Sequence, residues 1–323
     1  EIARVGTGQW GDVAARQLER DWLGRVWDVQ PEGATLVAHS PNEQVVRIVP
    51  PSRNTTPFDL VLDSDEETAA LRKLQPGERA WRVGPELWIA DSLTIRLPAA
   101  PPWQTALNWS ELPLGETALH RRLLWLGDAL LARAPETSFA GLLPELLASG
   151  VVATRPDLPP RERLSRWRMA GALTALVPAL ARGDLAAAEQ ATNRLAGLGA
   201  GVPAAGDSFL LGLLAGLRLW PGFLEPTGLN QETVVLRLAR TARERTGLVG
   251  AGLLWNGAEH RYGRPWHELL AELQDEEACS DERRHALEGV VSRWLAGPGD
   301  LGGSALAGLL LPFLWHQRHS ESL

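Results

Sequence analysis

Gly206, Asp207 and Ser208 open a nine-residue phrase, Gly206-Asp-Ser-Phe-Leu-Leu-Gly-Leu-Leu214. It recurs as Gly302-Gly303-Ser304-Ala-Leu-Ala-Gly-Leu-Leu310, with six of nine positions shared. A Gly-x-Gly precedes each copy, Gly199-Ala-Gly201 and Gly297-Pro-Gly299. A glycine turn leading into an apolar helix, with Ser near its start, places open backbone N–H groups at a helix N-terminus, and these favour an anion. The repeat therefore predicts a duplicated helical unit with an anion-sized site where the copies meet. The candidate ligand-binding residues are Gly199, Gly201, Gly206, Asp207, Ser208, Gly302, Gly303 and Ser304. Backbone amides and the two serines would hold a phosphate or carboxylate. Asp207 would orient it or act as a general base. The competing reading is structural: small residues let two helices pack closely, and Asp207 caps its own helix.

Other motifs carry less chemistry. Gly6-Thr-Gly-Gln-Trp-Gly11 has the spacing of a dinucleotide fingerprint: it follows Ile2-Ala-Arg-Val5, opens a helix, and has Asp28 ending a possible second strand. That reading makes the chain a nucleotide-binding oxidoreductase. It requires strands alternating with helices, whereas short strand-like runs follow with barely a helix between them. His267-Glu268 begins a zinc-protease pattern, but Ala271 stands where the second His is needed. His316 and His319 share a helix face without a third ligand, so no metal site is expected. No Ser-His-Asp spacing or nucleophile elbow is readable, and no catalytic residue or cofactor is assigned.

Composition narrows the classes. The 323 residues are 45% apolar and 22% charged, ordinary for a globular protein. A net charge of −7 argues against a general nucleic-acid binder. Two arginine runs stand out, Arg161, Arg163, Arg166, Arg168 and Arg237, Arg240, Arg243, Arg245; each is either a solvated helix face or an anion-attracting rim. Cys279 is the single cysteine, which excludes an internal disulfide and fits a reducing cytoplasm. The longest uncharged apolar run, Leu301 to Trp315, is shorter than the ~20 residues that span a bilayer, so no membrane contact is expected. The sequence starts at Glu1, so a removed signal segment stays open.

The chain changes character near residue 103. Before it, Ala34–Ser40, Gln44–Val49, Phe58–Asp63, Arg79–Val83, Leu87–Ala90 and Leu93–Leu97 read as strands, separated by Pro, Gly, Asn or Asp. A helix from about Trp10 to Leu23 is expected ahead of them, with Trp10, Val13, Ala14, Leu18 and Trp22 as its apolar stripe. After Pro102, helical patterns cover about 116–134, 138–149, 161–182, 184–197, 207–219, 231–245, 247–258, 265–274, 281–296 and 303–316. Asp184 and Asp281 are expected N-caps. The fold class is α+β: a β-rich domain over 1–103, then a larger all-α domain over 104–323 with an internal repeat.

At the repeat the chain resembles a bacterial family long classed as a domain of unknown function. Its best-described members are AllH-like subunits of oxamate carbamoyltransferase. The family segment Gly-Pro-Gly-Leu-Thr-Pro-Ser-Gly-Asp-Asp-x-Leu-x-Gly is matched at Gly199, Gly201, Gly206, Asp207, Leu210 and Gly212. Its Thr-Pro-Ser centre is Pro203-Ala204-Ala205 here, and its second Asp is Ser208. The C-terminal Gly-His-Thr-Ser-Gly-x-Asp-x-Leu-x-Gly is matched at Gly302, Leu306 and Gly308, with Ser304 for the Asp. Thr246 and Leu254 to Gly263 are similar to the family's central helix and turn. Gly24-Arg-Val-Trp27, Gly33 to Ser40 and Pro76-Gly77 onward are similar to its strands. The resemblance implies a cytoplasmic protein binding a small carboxylate or phosphate, with partner subunits or as a homo-oligomer. The implied chemistry is carbamoyl transfer between carbamoyl phosphate and oxamate. The alternative is a structural or regulatory subunit that has lost the site.

Overall fold

The structure is a computed structural model that describes all residues except 1, 19–21, 32, 40–43, 53–54, 110–115, 154, 275–280, 297–300 and 321–323. The chain is α+β, with a β-rich N-terminal region followed by a helical one. It divides into two compact units. The first comprises Glu1–Leu107 with His260–His267, and the second Asn108–Glu259 with Glu268–Leu323.

The first unit is a closed eight-stranded barrel. Its strands are β1 (Ala3–Trp10), β2 (Leu23–Gln30), β3 (Gly33–Ala38), β4 (Val45–Val49), β5 (Asp59–Leu62), β6 (Arg79–Val83), β7 (Glu86–Ile89) and β8 (Leu93–Arg96). They pair in the order β1-β5-β4-β3-β2-β6-β7-β8, and a parallel β8–β1 pairing closes the ring. Alternate residues point inward, as the two-residue strand period requires. Leu36, Val46, Ile48, Leu60, Leu87, Ile89 and Ile95 fill the interior. Closure leaves no sheet edge to aggregate.

Two expectations are corrected here. The helix read over Trp10 to Leu23 is only α1 (Asp12–Gln17), because β1 runs through Trp10 and β2 starts at Leu23. Leu18 and Trp22 are core residues, as the apolar stripe implied, but they plug the barrel from beyond the helix end. Gly6 and Gly8 lie inside β1, Gly6 opposite Arg96 of β8 and Gly8 where the register against β5 shifts, and not in a strand-to-helix turn. A Cβ on Gly6 would strike the Asp63 carboxylate. Close strand packing accounts for these glycines. A short α2 (Thr68–Leu71) lies between β5 and β6.

The 260–267 segment joins this unit through backbone hydrogen bonds, Leu107 N–H to His260 O at 2.8 Å and Tyr262 N–H to Thr105 O at 2.9 Å. The Asp12 carboxylate accepts from Thr105 Oγ1 and, at 2.9 Å, from Arg261.

The second unit is all helix: α3 (Glu116–Leu131), α4 (Phe139–Ser149), α5 (Pro160–Ala181), α6 (Leu185–Leu195), α7 (Ala205–Leu219), α8 (Gln231–Arg243), α9 (Leu248–Ala258), α10 (Arg264–Gln274, beginning in the first unit), α11 (Asp281–Leu295) and α12 (Leu301–Ser320). These ten helices correspond to the ten periodic segments. Asp184 caps α6 by accepting from Ala187 N–H at 3.0 Å. Asp281 lies within the first turn of α11. Helix α7 is buried from Gly206 to Leu219, because α6, α8, α9 and α12 pack round it. Among the described residues, no helix is long and apolar enough to cross a membrane.

Candidate functional site

The turn from α6 to α7 is built by glycine. Gly199 and Gly201 have φ of 98° and 99°, left-handed values that side chains disfavour. The turn folds back so that Gly206 N–H donates to Leu198 O at 2.8 Å. Asp207, only 2% exposed, gathers three donors: Gly197 N–H at 2.8 Å, Ala204 N–H at 3.2 Å and the Thr246 hydroxyl at 2.6 Å. Burial pushes its carboxyl above the ordinary carboxylate range, against the opposing pull of these hydrogen bonds. The acid thus satisfies the start of α7 and ties it to the residues leading into α9.

The second copy repeats the architecture with one substitution. Gly206 sits against Leu195 O at the end of α6, and Gly302 against Trp294 O near the end of α11. In both copies the glycine lets the preceding helix deliver a carbonyl to the start of the next one. Gly303 holds the position that Asp207 holds in the first copy, and among the described residues the first turn of α12 contains no acid; Asp300, just before it, lies outside them. Ser208 and Ser304 are both buried. Gly297, Pro298 and Gly299 lie outside the described residues.

Helices α7 and α12 run in the same direction. Gly201 faces Leu301 at their starts, Gly212 faces Ala305 and Leu309 further along, and Gly216 faces Leu309. Gly308 in turn faces Phe209 and Leu213, the counterparts of Ala305 and Leu309. The contact is reciprocal, as a local two-fold axis between the copies requires. Both helix N-termini therefore lie at the same end of the pair, where their partial positive charges add.

All eight sequence-derived residues lie in these two helix starts and the turn before α7. Residue types and spacing did not point to Gly250, whose missing side chain leaves room for Asp207 Oδ2 and Thr246 Oγ1. Thr246 entered only through the family resemblance. The four-residue step from Thr246 to Gly250 was the available signal. His267 lies in the first unit, where its Nε2–H donates to Thr105 O at 3.3 Å and Trp103 packs edge-on to its ring. Burial lowers its pKa. His319 stacks on Trp315, with ring centroids 4.0 Å apart.

No family model matches the chain, and neither a curated protein nor a solved structure matches it.

Proposed function

We propose that this chain is a divergent AllH-like protein that binds a small carboxylate or phosphate at the shared N-terminal end of α7 and α12. One observation carries the reading. Asp207 supplies a carboxylate to the start of α7, and its counterpart in α12 is Gly303. A free anion would supply at the N-terminal end of α12 the negative charge that Asp207 supplies at the start of α7, drawn there by the positive end of the helix. The adjacent positive end of α7 would add to the field. Carbamoyl phosphate and oxamate are anions of this size, and the matched glycines support the family assignment. If the site is active, catalysis would rest on positioning and on stabilising developing charge within an assembly of subunits, in the cytoplasm.

A second reading is favoured by the glycine contacts. Gly206, Gly212, Gly302 and Gly308 each face backbone, so close helix packing explains them without a ligand. The protein would then be a structural or regulatory subunit.

Thermal melting with carbamoyl phosphate, oxamate or inorganic phosphate separates the two, since a ligand of the native state raises Tm by mass action. Under the anion reading the wild type is stabilised and Gly303→Asp is not. Absence of any shift leaves the structural reading. Stabilisation by NAD(P) alone would instead support the oxidoreductase alternative.

A further inference from the structure

Pro160, Arg163, Leu164, Trp167 and Ala170 recur at helical spacing on α5 and form one face. Such a stripe is ordinarily covered. Here Leu164 is 48% exposed and Trp167 62%. Large apolar side chains gathered in one place differ from the scattered exposure found on any surface. Between α5 and the chain segment after α4 lies a cleft of about 420 Å³, within the range that holds a small molecule.

The polarity of the cleft is one-sided. Among the described residues its charged lining is Arg155, Arg163 and Arg166, with no Asp or Glu. Two of the three are neutralised from behind. Arg166 is buried, pairs with Glu145 at 2.5 Å and donates to Glu136 O at 2.6 Å. Arg155 pairs with Glu136 at 2.9 Å and Asp157 at 2.8 Å. Arg163 donates to Pro156 O at 3.2 Å and forms no ion pair among the described residues. One uncompensated cation therefore stands beside an apolar wall.

We propose that this cleft binds a small amphipathic carboxylate, with its head on Arg163 and its apolar body against Trp167 and Leu164. A guanidinium matches a carboxylate in a paired, planar geometry. The apolar wall selects for a hydrocarbon or aromatic body, which inorganic phosphate lacks. The single unpaired charge matches a monoanion. The site is separate from the α7 and α12 helix ends and stands whether or not an anion binds there.

The test is calorimetric titration of the full chain with octanoate, acetate and 1-octanol, which separate the head from the body. Octanoate is expected to bind saturably, and acetate and octanol at least about tenfold more weakly. Arg163→Gln should weaken octanoate about fivefold, and Trp167→Ala on the order of tenfold. Both side chains are solvent-facing, so both variants should melt like the wild type. Leu164→Gln gives an independent variant of the same wall. The proposal is overturned if octanoate gives no saturable heat, if octanol binds as well as octanoate, or if the three variants bind octanoate like the wild type.

Discussion

Gly212 and Gly308 hold equivalent positions in two parallel helices, and each faces the backbone leading up to the other. A methyl group on Gly212 would land on Ala305 O, and one on Gly308 on Phe209 O. Each Gly→Ala change should therefore cost about 3 kcal/mol in urea unfolding, because backbone cannot yield as a flexible side chain does. The double variant should cost less than the sum, since the first change already parts the helices. Gly171→Ala is the control. It has open space in α5 and should stabilise by about 0.5–1 kcal/mol.

Asp207 makes a pH prediction. Its folded pKa is raised by burial, so between the ordinary value of 3.8 and the folded value the native state holds more protons than the unfolded one. Stability then falls as pH rises through that window. Tm measured from pH 4 upward should decline more steeply in the wild type than in Asp207→Asn. Equal slopes would remove the buried carboxylate as the cause.

His267 has the opposite consequence. Burial lowers its folded pKa, so below about 6.5 the unfolded state takes up the proton first. This contribution is full at neutral pH and is lost as pH falls. Its ring resonance should titrate below 6.5 by NMR, and His267→Gln should flatten the acid side of the stability profile. A midpoint at or above the ordinary value would contradict the burial argument.

Arg218 fastens α9 to α7. It is 3% exposed, grips Glu232 through two bonds of 2.9 and 2.7 Å, and donates to Gly257 O and Ala258 O. Arg218→Ala should cost about 2–4 kcal/mol, because buried carbonyls at the end of α9 lose their donors. Arg218→Lys should recover less than half of that, since a point ammonium cannot reach all three acceptor groups at once. Chemical denaturation measures both.

Gly303→Asp tests the helix-end proposal directly. The introduced carboxylate should take the place of the free anion in α12 and abolish the Tm shift produced by carbamoyl phosphate or oxamate. A full shift in this variant would move the ligand away from α12.

The helical half was legible because each helix carries its own period and punctuation. Asp184 sits where a cap should, and the Leu-Ala-Arg segments form helices α3 to α12. Six strands were legible for the same local reason. Strand β2 entered only through Asp28 as the end of a possible strand and the family likeness of Gly24 to Trp27, and β1 was not legible: Gly6-Thr-Gly-Gln-Trp10 has weak alternation, and its pairing comes from β8 and β5, far along the chain. The repeat was visible as letters, yet its meaning depended on direction. Gly212 facing Ala305 and Gly308 facing Phe209 cannot be read from either copy alone.

By itself the sequence determined the α+β division, the helix segments and the existence of a duplicated glycine-led helix. Periodicity, caps and turn residues act within a few positions, so they are written locally. Tertiary structure decided that the barrel closes, that the two helices lie parallel with their starts together, and that Asp207 is held by Gly197, Ala204 and Thr246. Those outcomes depend on which distant backbone groups meet, and hydrogen bonding and close packing select them only once the chain has folded.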